Sequence, residues 1–239
     1  MKVYLTSLSC LAAAALAACP GSSQAQKLNT LSKKEKQQGW TLLFDGKTTS
    51  GWHTYLKEEA GAAWTVTDGA LMFNAGTKEG GDLVTDKEYE NYELSLEWKI
   101  SEGGNSGIIF NVHEAPSFRA TYTTGPEMQV LDNEKAQDNK EDDHLAGALY
   151  DMIDVGRGIA KPAGEWNQAR LRLNKGQLTL WLNGTQTADV KIGSEKWKQL
   201  IANSKFKDWE HFARYSKGRI ALQDHGNEVW YRNIKIREL

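Results

Sequence analysis

Cysteine is almost absent from this sequence: 239 residues contain only two, Cys10 and Cys19. Both lie close to the N-terminus, so the rest of the chain carries no thiol. Disulfide bonds, thiolate metal sites and cysteine nucleophiles are therefore excluded after residue 19.

Net charge and long apolar runs are also lacking. The chain carries 29 basic and 31 acidic residues, a formal charge of −2 at pH 7, so it lacks the basic excess of a nucleic-acid-binding protein. After the N-terminal segment no apolar run approaches the length of a membrane span. The length and ordinary composition suit a globular protein. Since no internal repeat or second linker is visible, we predict one domain.

The N-terminal segment predicts export and a lipid anchor. Residues 1–18 combine a single Lys with an apolar, Ala/Leu-rich stretch, as a signal peptide does. Leu16-Ala17-Ala18-Cys19 resembles a bacterial lipobox, which predicts cleavage before Cys19 and lipidation of its thiol. The alternative is an ordinary secretory signal that is cleaved after Ala25.

A short polar tether is expected to follow the anchor, over residues 19–37. The lipid would then be the protein's sole contact with the membrane. We expect a location in the bacterial cell envelope, facing the periplasm.

Residues 38–239 predict an all-β domain. Segments that alternate apolar and polar residues dominate, and Gly, Asn and Asp turns separate them. Asp68-Gly69 and Asn183-Gly184 are typical of tight hairpins. About ten to twelve short strands with this spacing indicate a sandwich or jelly roll of two antiparallel sheets. The predicted strands are Thr41–Phe44, Trp64–Thr67, Ala70–Phe73, Tyr92–Ile100, Ile108–Val112, Glu127–Leu131, Ala169–Leu173, Leu178–Leu182, Arg219–Gln223 and Val229–Arg237.

Two short helices are expected beside the strands. Ser32-Lys33-Lys34-Glu35 fits a capping box and predicts a helix that enters the fold. Ser194–Lys205 predicts a second helix with Ser194 as its cap. Trp197, Leu200 and Ile201 form a stripe on it that favours contact with the core.

Three predicted strands carry polar side chains on the face that should point away from the core. For example, Met128 and Val130 should point inward, which turns Glu127 and Gln129 outward. Together these side chains predict a concave polar patch that can hold hydroxyls and move protons. Its predicted members are Glu97, Lys99, Glu127, Gln129, Gln223 and His225.

Each of these residues also has a plainer interpretation. Glu97 and Lys99 alone are typical of a solvated strand face. His225 precedes Gly226 and could belong to a turn, while Asp224 could bind backbone amides of its loop. Asn105 could lie in a simple turn or point over the sheet. The set as a whole favours a site more than any one member does.

No motif supports zinc, nucleotide or serine chemistry. The five His residues show neither an HExxH motif nor a paired spacing. A phosphate loop, a dinucleotide fingerprint and a G-x-S-x-G elbow are missing as well. The acidic stretch over 132–143 has oxygen groups of the kind that calcium prefers, but it lacks EF-hand spacing. A solvated loop is the favoured interpretation, and no cofactor is evident.

Tryptophan, by contrast, is plentiful, with nine residues. Aromatic rings stack on the apolar faces of sugars, so a Trp-rich sandwich suits a carbohydrate ligand. We expect Trp98 and Trp181 to pack in the core. Trp52, Trp166 and Trp230 lie near turns or strand ends, where they could line a groove.

Several segments together resemble one bacterial family. Gly39–Gly46 with Gly51-Trp52 is similar to the opening of the 3-keto-glycoside lyase and hydratase family, also described as 3-keto-disaccharide hydrolases. The resemblance covers about residues 38–239 and implies a concanavalin-like jelly roll. Further similar segments are Gly81-Asp82-Leu83, Glu97-Trp98-Lys99, Asn105-Ser106-Gly107, Gly125–Gln129, Gly147–Tyr150, Gly164–Asn167, Leu222–Gly226 and Tyr231–Ile236.

The resemblance implies cleavage of 3-keto-glycosides. A base removes the C2 proton, which the C3 ketone acidifies, and the group at C1 is eliminated; hydration of the product would complete a net hydrolysis. Glu127 and His225 would serve as base and acid in either order, with His225 oriented by Asp224. Gln129, Lys99 or a divalent metal would stabilise the enolate. The residues expected to bind the substrate are Glu97, Asn105, His144, Tyr150 and Gln223.

Two other functions remain open at this point. The first is a glycan-binding lipoprotein without catalysis, since this fold hosts both lectins and enzymes. The second is an ordinary glycoside hydrolase, which would need a facing pair of carboxylates where Glu127-x-Gln129 offers one. A 3-keto-glycoside or related glycan is the expected partner, and no nucleic acid or protein partner is predicted.

Overall fold

The computed structural model describes residue 1 and residues 27–239. Residues 2–26 include Cys19 and both predicted cleavage sites. The predicted signal peptide and lipid anchor therefore lie outside the described residues and stay predictions. Within the described part of the chain, no helix has the length and apolar character needed to cross a bilayer.

Thirteen strands and two α-helices build the described fold. Helices α1 and α2 cover Lys33–Gln37 and Glu195–Asn203. Single 3₁₀ turns lie at Thr121–Thr123 and Asp142–His144. In chain order the strands are β1 Thr41–Leu42, β2 Trp52–Thr54, β3 Trp64–Thr67, β4 Ala70–Phe73, β5 Leu83–Thr85, β6 Tyr92–Ile100, β7 Asn105–Val112, β8 Glu127–Leu131, β9 Asn167–Asn174, β10 Gln177–Leu182, β11 Thr185–Lys191, β12 Arg219–Leu222 and β13 Val229–Glu238.

The strands form two antiparallel sheets with the main core between them. The eight-stranded sheet has the order β11-β10-β9-β6-β13-β4-β3, and β1 also pairs with β13. The five-stranded sheet has the order β2-β5-β12-β7-β8. Buried side chains from both sheets fill the space between them, among them Trp98, Tyr231 and Phe110. The predicted two-sheet jelly roll is confirmed.

Turn chemistry explains why the predicted hairpins form. Asp68 and Gly69 link β3 to β4 with φ angles of 51° and 73°, and Asn183 and Gly184 link β10 to β11 with φ of 50° and 84°. Positive φ at both central residues is the type I′ geometry that matches the twist of paired strands. The sequence did not predict β2 and β5, and it implied β11 only as the second strand of the Asn183-Gly184 hairpin, without bounds. The first two are three-residue strands buried throughout, so they show no alternation.

The predicted helices are both present with their caps. The Ser194 side chain accepts a hydrogen bond from the Trp197 N–H at 3.2 Å, and Trp197 is buried against the core. In α1, Ser32 and Glu35 form the expected capping box. Both helices therefore begin directly after the serine that the sequence predicted as their N-cap.

The two sheets differ in the state of their outer faces. Buried and open residues alternate along β9, as expected for a sheet with one wet face. Every residue of β7 and β8 is instead buried, on both faces. A second apolar cluster, which includes Tyr55, Ile109 and Ala221, lies on the outer face of the five-stranded sheet. Loops therefore cover this outer face, and a cavity can form there.

The last part of the predicted tether packs against the sandwich. Asn29 is buried, its side chain donates to the Gly69 carbonyl at 2.7 Å, and it accepts from the Asn233 N–H at 2.9 Å. Glu35 forms an ion pair with Lys235 of β13. Residues from Asn29 onward, which the sequence assigned to the tether, therefore pack against the folded domain.

Replacing Asn29 should destabilise the fold although it lies within the predicted tether. Asn29→Ala removes two hydrogen bonds between the buried Asn29 side chain and partly buried backbone, so we expect the free energy of unfolding to fall by about 1–3 kcal/mol. Urea denaturation measures this, with the exposed Lys36→Ala as the control. Equal stability of the two variants would show that residues 29–37 are a tether after all.

Candidate active site

A cavity of about 310 Å³ opens on the outer face of the five-stranded sheet. One side of it is polar and the other is aromatic. A neighbouring hollow shares Asn105, Asp138, Tyr150 and His225 with it, so the two form one continuous groove. The lining residues are Asn105, Tyr122, Gly125, Glu127, Gln129, Asp138, Tyr150, Lys205, Phe206, Trp209, Gln223 and His225.

The floor of the cavity follows from strand alternation on β7 and β8. Gly107 pairs with Gln129 and Ile109 pairs with Glu127, which turns Glu127 and Gln129 towards the same outer face. A Cβ atom at position 107 would overlap the Glu127 carboxyl group. Any side chain at 107 would therefore force the Glu127 carboxyl group to move, because this group lies across the backbone of Gly107.

Glu127 is the chemically distinctive residue of the cavity. Its exposure is only 9%. Burial raises the pKa of Glu127 to about 8, and the charges of Asp82 and Asp138 add to the rise while Lys205 opposes it. A carboxyl group with this pKa can accept and return a proton near neutral pH, as a general base or acid must.

Two buried amides complete the polar floor. The Oδ1 of Asn105 and the Oε1 of Gln223 have no hydrogen-bond partner although both are buried. Gln129 differs, since its Oε1 accepts from the Val130 N–H at 3.0 Å. Buried acceptors without partners are costly in a folded protein. A ligand with several hydroxyl groups would satisfy them.

A chain of hydrogen bonds joins the two loops beside Glu127. The Tyr150 hydroxyl donates to Asp138 at 2.9 Å, and Asp138 lies 2.9 Å from Nδ1 of His144. Nε2 of His144 lies 3.1 Å from Asp151, whose other oxygen accepts from the Lys205 N–H at 2.6 Å. Burial acts to lower the pKa of His144, but its bonds to Asp151 and Asp138 outweigh burial and raise it.

Lys205 brings the positive charge into the cavity. Its Nζ lies 4.1 Å from the centre of the Tyr150 ring, a cation–π contact, and the same ammonium acts on the Glu127 carboxyl group. The sequence did not indicate Lys205 as a site residue. It stands at the end of the predicted helix, and no local signal distinguishes it from any exposed lysine.

The donors around the cavity do not form a metal site. In the described ranges no three His, Cys, Asp or Glu side chains come together as ligands. Asp138, the second acid of the cavity, already bonds to Tyr150 and His144. The described side chains therefore offer no ready-made set of three ionisable metal ligands, and we derive no step through a divalent cation.

Comparison with known proteins identifies the family. Residues 39–237 match the domain described as 3-keto-alpha-glucoside-1,2-lyase-like. The chain belongs to this family. A 3-keto-disaccharide hydrolase of Bacteroides thetaiotaomicron is 32% identical to it, over 100% of this chain and 99% of that protein. The resemblance seen in the sequence is confirmed.

Two solved structures from one organism share the fold of this chain. A crystal structure of a candidate glycosyl hydrolase from Parabacteroides distasonis superposes with a TM-score of 0.82 at 33% identity, over 89% of this chain and all of that one. A second one from the same organism has a TM-score of 0.66 at 28% identity, over 84% of this chain and 99% of its own.

The lyase-like domain brings together most of the residues predicted for its site. Glu127, Gln129, Asn105, Tyr150 and Gln223 all line the cavity. His225, which is exposed in the loop after β12, lies at its edge. Their predicted roles stay predictions, but the predicted convergence of these six residues matches the structure.

Glu97 and Lys99 do not belong to this site, so their predicted place in the patch is wrong. Both point outward from β6, as the alternation indicated, but β6 lies in the eight-stranded sheet. There Glu97 accepts from Nε of Arg232 at 2.7 Å, and Nζ of Lys99 lies 4.3 Å from the Trp230 ring. Strand alternation identifies the face of a residue and not the sheet that carries it.

Two further predictions need correction. His144 is not among the residues that line the cavity, and Asp138 and Asp151 lie within hydrogen-bond distance of its two ring nitrogens. Asp224 does not orient His225 by a hydrogen bond in the described residues. Its carboxylate accepts instead from the N–H groups of Gly81 and Gly226, at 2.7 and 2.9 Å, and so holds the loop that carries His225.

Asp82 is a half-buried acid that the sequence did not assign to the site. It accepts from the Thr121 hydroxyl and from the Asp224 N–H. Burial raises the pKa of Asp82, and these two hydrogen bonds oppose that rise. Asp82 thereby joins the loop of His225 to the 3₁₀ turn on the aromatic side of the cavity.

The predicted groove tryptophans lie elsewhere. Trp52 is buried, and its Nε1 donates to the Leu43 carbonyl at 2.6 Å. Trp166 and Trp230 flank Lys99 on the other sheet. Trp181 is half-buried beneath Arg170 and not in the core. Trp209 lines the cavity instead, and only the folding of the chain brings it there.

The raised pKa of Glu127 should appear as a pH dependence of stability. The folded protein keeps a proton that the unfolded chain loses above the ordinary pKa of 4.5, and it releases this proton near pH 8. This group therefore lowers the free energy of unfolding as pH rises from about 5 to 8, by at most about 1.4 kcal/mol per pH unit.

Urea denaturation between these pH values measures the slope, with Glu127→Gln as the variant that should lose it. Glu97→Gln, on the other sheet, should keep the wild-type slope. Parallel stability curves for the wild type and Glu127→Gln would contradict a raised pKa at this position.

Proposed function

We propose that the protein cleaves 3-keto-glycosides by removing the C2 proton and eliminating the group at C1. Membership of the lyase-like family supports an enzyme that breaks glycosidic bonds. The observation that carries the finer proposal is the buried carboxyl group of Glu127, which lines the cavity with the cation Lys205 and has a pKa raised to about 8. This arrangement suits proton abstraction next to a ketone.

The proposed reaction has two bond-breaking steps. The base takes the C2 proton, and the C–H electrons become an enolate that is shared with the C3 ketone oxygen. The ketone then re-forms as the C1–C2 double bond appears and the C1–O bond breaks. The leaving oxygen keeps that electron pair and takes up a proton. The product is a 2-hydroxy-3-keto-glucal, and addition of water across its double bond would complete a net hydrolysis.

We assign the role of base to Glu127. With a pKa of about 8 it is roughly one tenth ionised at pH 7, yet it is a stronger base than an ordinary carboxylate. His225 lies at the exposed edge of the cavity, where it can return a proton to the leaving oxygen. Lys205 is the cation in reach of the enolate, a role that the sequence assigned to Lys99.

An ordinary glycoside hydrolase fits the cavity less well. That chemistry uses two carboxyl groups that face each other across the glycosidic bond. Glu127 and Asp138 are the acids that line the cavity in the described structure. Asp138 is already engaged by the Tyr150 hydroxyl and by His144, so it is poorly placed as a free nucleophile or base.

Replacement of the proposed base and cation should abolish most of the activity. We expect Glu127→Gln to lower kcat by at least about a hundredfold, because it removes proton transfer. Lys205→Met should lower kcat by at least about tenfold, since it removes charge stabilisation of the enolate. Release of the leaving group from a 3-keto-glucoside is the measurement, with the unoxidised parent glucoside as the substrate control.

The chain supplies matched control variants on the opposite sheet. Glu97→Gln and Lys99→Met make the same chemical changes far from the cavity and should keep wild-type rates. Cleavage of the parent glucoside as fast as the 3-keto substrate would overturn the proposed mechanism. Wild-type rates for Glu127→Gln would show that another group is the base.

We also propose that the enzyme is lipid-anchored at Cys19 in the bacterial cell envelope and faces the periplasm. The lipobox-like sequence at residues 16–19 supports this. Cys19→Ala should move the protein from the membrane fraction to the soluble fraction of expressing cells. Retention of this variant in the membrane fraction would disprove the anchor.

A further inference from the structure

One side of the cavity is an aromatic wall formed by Tyr122, Phe206 and Trp209. The Tyr122 side chain is one of the few large rings on the described surface and is 44% exposed. The Tyr122 and Trp209 rings lie 6.1 Å apart with planes inclined at 42°. Phe206 behind them is buried. The wall therefore presents two accessible rings to the cavity.

The wall is held in place before any ligand arrives. Trp209 makes edge-to-face contacts with Phe206 at 5.1 Å and Phe212 at 6.4 Å, and those two rings stack on each other at 3.9 Å. The Ala213 N–H donates to the Thr124 carbonyl at 2.8 Å, which ties the Trp209 segment to the turn that carries Tyr122. A fixed aromatic surface loses little entropy when a ligand binds.

The polar floor and the aromatic wall must bind different parts of a glycoside. The reacting C2 has to reach Glu127, which is 9% exposed, and hydroxyl groups have to satisfy the buried acceptors of Asn105 and Gln223. The 3-keto sugar therefore occupies the floor. The leaving group must depart towards solvent, and Tyr122 lies at the exposed side.

We propose that Tyr122 and Trp209 form the leaving-group subsite and select glycosides whose leaving group carries a sugar or aryl ring with a face that can stack on them. This rests on the proposed function. A sugar ring offers an apolar C–H face and an aryl group offers a π face, and both stack on aromatic side chains. A small alkyl leaving group covers neither ring of the wall. The subsite thus favours a ring-bearing leaving group over a methyl group.

Three 3-keto-glucosides that differ only in the leaving group test this subsite: methyl, phenyl and glucosyl. The measured quantity is kcat/KM for each ring-bearing substrate divided by that for the methyl substrate. We expect Tyr122→Ala and Trp209→Ala each to lower at least one of these ratios by about two- to tenfold. Trp209→Phe keeps an aromatic ring and should lower the ratio less than Trp209→Ala does. A larger fall in the glucosyl ratio would identify a subsite for a sugar leaving group. A larger fall in the phenyl ratio would identify one for an aryl leaving group.

Trp230→Ala, a half-buried tryptophan on the opposite sheet, is the matched control and should keep both ratios. Unchanged ratios in Tyr122→Ala and Trp209→Ala would overturn the subsite while leaving the proposed function intact. Because Tyr122 is exposed, its alanine variant should fold even if Trp209→Ala does not. A wild-type enzyme that cleaves none of the three substrates would instead overturn the proposed function and the subsite with it.

Discussion

The burial of one carboxyl group, that of Glu127, is the constraint on which the site depends. The group lies across Gly107 on a strand face that would be wet in an ordinary sandwich. Burial raises its pKa to about 8, and this turns an ordinary acid into one that exchanges protons near neutral pH. Glycine at 107 and the loops over β7 and β8 are the structural conditions for that burial.

The loops that bury Glu127 also carry polar groups that line its cavity, among them Asp138 and Tyr150. Tyr150, Asp138, His144 and Asp151 form a continuous set of contacts that ends at the backbone of Lys205. Lys205 thereby faces the same cavity as Glu127 without neutralising it through a direct ion pair. A base and a cation held apart in one cavity suit a reaction in which negative charge develops on the substrate.

Much of the fold could be predicted from the sequence. Alternation identified β6 and β8 with their bounds, and Asp68-Gly69 and Asn183-Gly184 identified two hairpins because type I′ turns need those residues. The short strands β2 and β5 were missed because residues buried on both faces show no alternation. The lyase-like family followed from segments spread along the whole domain.

The sequence by itself determined the face on which each strand residue lies, including Glu127 and Gln129, since this depends only on the local two-residue period. Only the tertiary structure decided which sheet carries that face. It placed Glu97 and Lys99 on the opposite side of the sandwich, and it brought Lys205 and Trp209 from distant segments to the cavity. Strand pairing and loop packing are long-range contacts, and no local pattern encodes which of two similar outer faces the loops will cover.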